Sequence, residues 1–596
     1  MVTRAMAVAL DNSVASAPRA GPCSPASEAA ARRLAKGIIG APMADDETSK
    51  KPWHRAPGAV PWIAGGPLPA YQAPPPDLPE PVLDDGWLAR GVPAHLAELA
   101  LRQPAAMALA DGEREYSFAE LHTAARRIAA ALRARDWPSG AVGVLLPNDA
   151  RHIAGVLGCL AAGRPCMPLG PHSPAPFLAS TIAAAGLVGV VTMQPLAASL
   201  PAGLPVLDFD TEGPPDMAPP RSSDGADTAP LIFSTSGSTG LPKAVARGQA
   251  EAVLNAYPRI LALRLGPHDR VAVTGAAGTS GALSQWVTAL VAGAGVVVVD
   301  VHRRGLGAAL EQIKACGVTV LHATPQLLKT LAGLQAAQAA LSGLRVAMLG
   351  GDAIMCADLD VIRAGIPPNC RINVALALTE VGRVAHWFVP PDAAHDPVRV
   401  GVGYLAEGVE ALVIDEAGHP VPPGEPGELV VRTRVSAVGD WIAGRLVPAR
   451  FPTDPTDPTR RIFHTGDIVR IARDGVLVML GRRDRMVKLA GQRVEPAVIE
   501  AAMRTVPGVA DSAVVALRDG QRVRLAGFVV SNAAPDEGEI QTADPLLAKV
   551  RAALRQAVPA AMVPALLRRI AAIPRTPAGK RDDAALVALA MPPDAP

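Results

Sequence analysis

A loop that packs five hydroxyls, two glycines and a lysine together can hold a phosphate, and Ser234-Thr235-Ser236-Gly237-Ser238-Thr239-Gly240-Leu241-Pro242-Lys243 is such a loop. Its glycines allow the backbone to approach an anion, its hydroxyls and N–H groups can donate hydrogen bonds, and Lys243 adds a positive charge. It is not a Walker loop, because Pro242 precedes the lysine and Ala244 follows it. Four further clusters carry chemistry-bearing side chains: Thr379-Glu380, Thr465-Gly466-Asp467, Gly481-Arg482-Arg483-Asp484, and Pro574-Arg575-Thr576-Pro577-Ala578-Gly579-Lys580 near the C-terminal end. Taken singly, each has an ordinary explanation as a strand end, a turn or a solvated charge. Their order along one chain is less ordinary.

The elements around them alternate. Leu231-Ile232-Phe233 reads as a buried strand that delivers the hydroxyl-rich loop to a sheet edge, and Leu344 to Leu349 as another that runs into Gly350-Gly351-Asp352. Ala119–Ala134 has helical periodicity, Val142–Leu146 is a buried strand, and Ile153–Ala162 is again helical, the signature of a doubly wound α/β fold. Beyond about residue 400, short strands such as Ala411–Ile414 and Glu428–Val431 alternate with Gly/Pro turns and indicate a β-rich subdomain. After Gly481, helices at Pro496–Val506 and Pro545–Ala557 mix with strands at Ser512–Leu517 and Arg524–Val530. The expected division is a loosely packed or disordered Ala/Pro-rich segment 1–78, a large N-terminal α/β domain with its β-rich subdomain at 79–480, and a small mobile α+β domain at 481–596.

Composition narrows the function. With 57 basic and 55 acidic residues the net charge is +2, and aromatics make up only 3%, so neither a nucleic-acid partner nor an anionic membrane is expected. Six scattered cysteines without a CxxC pair fit a reducing compartment, and the apolar run Ala5–Leu10 is too short for a secretory signal, which points to the cytoplasm. Val271–Val299 is uncharged and long enough to span a bilayer, but its glycines break it into strand, loop, helix and strand.

In order and spacing the five clusters resemble the adenylate-forming superfamily of acyl-CoA synthetases, luciferases and peptide-synthetase adenylation domains, from about Val92 to Asp583. Tyr116–Leu121, Gly427-Glu428-Leu429 and Lys488–Glu495 match further motifs of that family, and Pro168-Leu169-Gly170-Pro171 lies closer to the peptide-synthetase branch. The resemblance implies that a substrate carboxylate attacks the α-phosphorus of ATP, pyrophosphate leaves, and the acyl-adenylate passes to a thiol of CoA or of phosphopantetheine on a separate acyl carrier protein. It also implies roles. The loop residues Thr235, Ser236, Gly237, Ser238, Thr239, Gly240 and Lys243 hold the β- and γ-phosphates, Thr379 meets the α-phosphate, and Glu380 helps to hold Mg²⁺. Gly351, Asp352 and Leu376 border the nucleotide, Asp467 accepts from the ribose hydroxyls, Arg482 supports the ribose-phosphate region, and Lys580 bridges the attacking carboxylate and the α-phosphate. Asp484 is the hinge between the adenylating and thiol-transfer arrangements, and Gly491 borders the thiol channel. Leu376 and Ala377 replace the Tyr-Gly common in the family, so aliphatic packing takes the place of ring stacking on adenine.

The substrate is expected to be a carboxylic acid without an α-amino group. Ser280 stands where amino-acid-activating relatives place an aspartate, no acidic residue occurs in 271–299, and Ala276 and Ala277 leave the pocket wall small and uncharged. The rival reading is a noncatalytic nucleotide-binding or scaffold protein that keeps the fold. Leu376 and the long N-terminal segment favour it, and the joint presence of Lys243, Glu380, Asp467, Arg482 and Lys580 opposes it.

Overall fold

The helix Phe118–Arg133 begins where Ser117 and Glu120 cap one another. The Glu120 amide donates to Ser117 Oγ at 3.2 Å, and the Ser117 amide donates to Glu120 Oε2 at 2.7 Å. Such a reciprocal cap satisfies two otherwise orphaned N–H groups. Leu121, Ala125, Ile128 and Leu132 then fall on one buried face, which packs against the helix Ala150–Ala161. A computed structural model of the chain describes residues 62–65, 90–210, 229–236, 242–352, 354–391, 399–447, 451–483, 487–489, 492–494, 496–519, 522–531, 544–557, 563–576 and 581–591.

Strands buried on both faces, such as Val142–Val144 and Gly295–Val298, can be satisfied only inside parallel sheets covered by helices. Two such sheets form the large domain. In one of nine strands, Met107–Ala110, Gly295–Val298, Arg270–Val273, Val320–Ala323, Val346–Leu349 and Arg371–Leu378 run parallel to their neighbours. Gly382–Phe388 then folds back antiparallel against Arg371–Leu378. In the other, of eight strands, Leu231–Ser236, Cys166–Pro168, Val142–Val144, Gly189–Thr192 and Val206–Asp208 are parallel, and Pro242–Arg247 returns antiparallel to Leu231–Ser236. A single core joins Val144, Leu157 and Phe233 on one side to Val253, Trp286 and Val296 on the other. The uncharged stretch 271–299 divides as expected, into the end of Arg270–Val273, the helix Ser280–Val291 and the strand Gly295–Val298.

The β-rich part is a five-stranded antiparallel sheet of Ile63–Ala64, Val409–Ile414, Gly427–Thr433, Arg461–Ile471 and Leu477–Arg482. Its first strand departs from the expectation of loose packing throughout 1–78: Ile63 pairs with Ala411 and Ala64 with Glu410. Trp62 packs on Leu412, Ile414, Val430 and Ile462, with the Arg432 guanidinium 4.8 Å from its ring centroid. A two-residue strand has no periodicity to reveal it. The rest of 1–78 lies outside the described residues.

The small C-terminal unit pairs Val509–Asp519 with Arg522–Ser531 antiparallel, and Leu566–Arg569 joins parallel to the latter. Ile499 and Met503 from the helix Pro496–Arg504 meet Val550 and Leu554 from Pro545–Ala557 over one face, and Leu586 from Asp583–Ala590 meets Phe528 on the other. No described helix is long and apolar enough to cross a membrane.

Candidate active site

The parallel strands end on one side of each sheet, where an open α/β fold offers its ligand site. The hydroxyl-rich loop connects two paired strands, with Thr235 opposite Lys243 and Ser236 opposite Pro242 in the backbone register. Residues 237–241, which include Gly237, Ser238, Thr239 and Gly240, lie outside the described residues, as do the side chains of Thr235, Ser236 and Lys243.

Thr379 and Glu380 sit at the tip of the hairpin formed by Arg371–Leu378 and Gly382–Phe388, just past a register shift at Leu376/Ala377. Thr379 Oγ1 lies 2.8 Å from Ser280 Oγ, so the expected phosphate contact and the expected acyl wall touch. Ser280 opens the helix Ser280–Val291, whose cap is Thr279 Oγ1 accepting from the Ala282 amide at 3.3 Å. Ala276 is half-buried and its carbonyl accepts from Thr279 Oγ1 at 2.8 Å, while Ala277 is buried beside the turn. A Cβ at Gly278 would come within 2.9 Å of the Gly170 amide, so this wall packs against the Pro168–Pro171 segment.

Two consecutive backbone amides tie this hairpin tip to the return strand of the hydroxyl-rich loop. Ala437 N–H donates to the Glu380 carbonyl at 2.7 Å and Val438 N–H to the Ala246 carbonyl at 2.9 Å. Leu376 is half-buried and packs with Val384, Leu405 and Val409, a cluster that also holds residues of the five-stranded sheet.

Gly350-Gly351-Asp352 follows the strand Val346–Leu349, and Gly351 has φ 86°, a left-handed conformation that favours glycine. Asp352 faces the C-terminal unit: Arg575 Nη1 is 3.9 Å from Asp352 Oδ2. Arg575 is also bridged in the backbone to Arg581, and the Asp582 amide donates to the Pro574 carbonyl at 2.9 Å. Arg581 is anchored in turn by Glu500 and Asp583. Arg575 thus links the C-terminal unit to the Gly350–Asp352 turn, and Lys580, like Asp484 and Gly491, lies outside the described residues.

Asp467 is 2% exposed and lies on Arg461–Ile471 directly opposite Arg482 on Leu477–Arg482. Arg482 Nη1 donates to Asp467 Oδ1 at 2.9 Å and to the Thr465 carbonyl at 3.2 Å. Gly466 between them has φ 70°, and its amide donates to Glu428 Oε1 at 3.3 Å. Burial pushes the Glu428 carboxyl up, but His464, Arg483 and that amide together outweigh burial and hold it below its ordinary range.

Sequence reasoning missed a second set of groups on and around the strand that returns from Glu380. Arg383, only 4% exposed, follows Glu380 along the returning strand, and its backbone amide donates to Asn255 Oδ1 at 3.1 Å. Its neighbours within electrostatic reach are Arg259, His322 and His386. Burial, reinforced by the neighbouring arginines, lowers His322 to about 3 and holds His386 far below its usual value, so both imidazoles are neutral. The available signal was a lone arginine in the otherwise apolar run Val381–Ala385, and single residues of that kind usually lie on the solvated face of a strand.

The family model of AMP-binding enzymes matches residues 96–439, and that of the AMP-binding enzyme C-terminal domain matches 498–580. The chain is 32% identical over 532 residues to a probable non-canonical nonribosomal peptide synthetase, CymA, of Salinispora arenicola, covering 86% of this chain but 7% of that protein. The fold matches a holo four-domain nonribosomal peptide synthetase bound to AMP and glycine, with a TM-score of 0.71 at 24% identity, over 87% of this chain and 38% of the other. It also matches the anthranilate CoA ligase AuaEII in complex with anthranoyl-AMP, with a TM-score of 0.71 at 20% identity, over 84% of this chain and 98% of that enzyme. The chain belongs to the AMP-binding enzyme family.

Proposed function

We propose that this protein activates a carboxylic acid with ATP, forming an acyl-adenylate and pyrophosphate, and then transfers the acyl group to a thiol. The observation that carries the reading is the joining of the phosphate loop's return strand to Thr379-Glu380 through the paired amides of Ala437 and Val438, with Ser280 in contact with Thr379. Those contacts bring the return strand of the hydroxyl-rich loop, Thr379-Glu380 and Ser280 together, which supports a shared role for them in binding phosphate and acyl group. The substrate carboxylate attacks the α-phosphorus as the bond to pyrophosphate breaks, so negative charge grows on the phosphates and positioned cations and donors do most of the work. Lys243 and the loop hydroxyls hold the β- and γ-phosphates. Lys580 lies between the attacking carboxylate and the α-phosphate, and Asp467, oriented by Arg482, accepts from the ribose hydroxyls.

Glu380 fits a role in holding Mg²⁺. No group of three or more metal-ligating side chains occurs among the described residues, and Mg²⁺ is commonly held by one or two carboxylates together with substrate phosphates. Bound there with ATP, Mg²⁺ would neutralise charge on the departing pyrophosphate.

In the second half-reaction a thiol sulfur attacks the acyl carbonyl and AMP leaves. Asp484 is the pivot that exchanges the Lys580 loop for a thiol channel beside Gly491, and the thiol belongs to CoA or to carrier-borne phosphopantetheine. Ser280 and the uncharged stretch 271–299 favour an acid without an α-amino group, because an α-ammonium would be buried there unpaired.

Acid-dependent exchange of labelled pyrophosphate into ATP is the direct test, with a panel of carboxylic and amino acids. Exchange with at least one acid, reduced roughly 100- to 1000-fold in Lys580→Ala, is expected. ATP binding without exchange for any acid would favour a noncatalytic nucleotide binder.

A further inference from the structure

Arg383 presents a physical problem that the adenylation chemistry does not resolve. Its Nε, Nη1 and Nη2 atoms are all buried, and none has a hydrogen-bond partner among the described residues. A guanidinium remains protonated in proteins, so this charge cannot be relieved by losing a proton. An unpaired buried charge is costly, and proteins normally pair it.

Among the described residues no partner is found for it. Arg259, on the helix Gln249–Leu263, donates to the Ser284 carbonyl at 3.3 Å and to Thr288 Oγ1 at 3.4 Å, and it adds a second positive charge. Glu251, a carboxylate within electrostatic reach of Arg259, is already engaged by Arg247, whose Nε donates to it at 2.6 Å. His322 and His386 are neutral and can donate hydrogen bonds but bring no negative charge.

The same groups border the acyl wall. Ser284 and Thr288, which hold Arg259, lie on the helix that begins with Ser280, the residue in contact with Thr379. His322 Nε2 lies 3.8 Å from the point where a Cβ of Gly350 would stand, so this imidazole borders the Gly350–Asp352 turn. Ser280 and Ser284 are one helical turn apart, roughly 6 Å along the axis.

We propose that Arg383, backed by Arg259 and flanked by His322, is a specificity-determining site for a second carboxylate on the substrate, so that the acid activated is a dicarboxylic acid. One carboxylate faces the α-phosphate beside Thr379 while the other reaches the guanidinium. The planar guanidinium matches a carboxylate in bidentate fashion, and the distal group supplies the charge that the fold leaves out. This inference rests on the adenylation reading and narrows its substrate.

The test compares matched pairs by pyrophosphate exchange with the full-length chain: butanoate with succinate, pentanoate with glutarate, hexanoate with adipate, benzoate with isophthalate. The diacid of at least one pair is expected to be favoured by roughly 100-fold or more in kcat/KM, because a buried polar site rejects the analogue that leaves it unpaired. Arg383→Met should abolish that preference through KM for the acid and leave KM for ATP unchanged, and Arg383→Lys should retain part of it. Arg383→Met should also melt at or above the wild-type temperature, since it removes an unpaired buried charge. A melting temperature several degrees lower would show that Arg383 is a structural group and overturn the proposal.

Exchange that proceeds equally well with the monoacids would leave adenylation standing and remove the distal-carboxylate site. Calorimetry with glutaryl- and pentanoyl-sulfamoyladenosine gives a readout independent of turnover. Tighter binding of the glutaryl mimic, lost in Arg383→Met, supports the site, and equal affinities overturn it. No exchange with any acid together with no binding of either mimic would overturn the adenylation reading as well.

Discussion

Arg575 Nη1 approaches Asp352 Oδ2 to 3.9 Å, so the strand end that carries Gly351 is linked electrostatically to the base of the C-terminal loop that ends in Lys580. Both side chains are partly exposed, which limits such a pair to about 0.2–1 kcal/mol. Its value is geometric, because it acts on the approach of the small domain. Arg575→Ala or Asp352→Asn should therefore slow pyrophosphate exchange by only about 2- to 5-fold, with a similarly small coupling in a double-mutant cycle. Fully additive effects of the two changes would separate the pair from domain approach.

Asp467 and Arg482 should be sensitive in a different parameter. Asp467→Asn keeps the shape but removes a charged acceptor, and hydrogen bonds to charged groups contribute about 1.5–3 kcal/mol, so KM for ATP should rise roughly 10- to 100-fold. Discrimination between ATP and 2′-deoxy-ATP should narrow in the same variant. Unchanged discrimination would place the ribose elsewhere.

Acidification should weaken the fold above the range in which carboxylates titrate. Burial lowers His152 to about 4 and, together with the adjacent arginines, His322 to about 3. In the unfolded chain these imidazoles take up protons near pH 6.5, whereas the folded chain resists protonation, so the unfolded state binds more protons between about pH 6.5 and 4. Stability is then fully present above about pH 6.5 and falls as pH drops through that window, by roughly 2 kcal/mol at pH 5 for His152 alone. Urea midpoints at pH 7.5 and pH 5 read this directly, and His152→Gln should flatten the dependence.

Removal of residues before Pro79 should lower stability without abolishing chemistry. The truncation deletes Ile63–Ala64 and the Trp62 contact with Arg432, and a half-buried aromatic with a cation over its face contributes about 1–2 kcal/mol. Thermal melting should show that loss, Trp62→Ala in the full chain should reproduce most of it, and kcat for pyrophosphate exchange should stay within a few-fold. Loss of exchange in soluble truncated protein would assign the segment a role in the site.

The readable parts of the molecule were those whose physics is local. The periodicity of Ala119–Ala134 announces a helix, Val142–Leu146 a buried strand, and the glycines of 271–299 the breaks in that stretch. Asp467 and Arg482 were named separately, and the antiparallel register then set them face to face. Arg383 was not legible, because what distinguishes it is burial among Arg259 and His322, which come from two other places in the chain, and His386, which lies farther along its own strand. Ile63–Ala64 escaped for another reason, since two residues carry too little pattern to be read against a Pro-rich background.

The amides of Ala437 and Val438 make part of this site invisible to alanine scanning. The hydrogen bond that seats the Glu380 peptide comes from a main-chain N–H, and residue 437 is already alanine, so no side-chain truncation can test it. Any L-residue except proline supplies the same donor, and proline alone would withdraw it. Identity at this position therefore says little about its importance, and a comparison of side chains across relatives would pass over a contact that the chain path itself supplies.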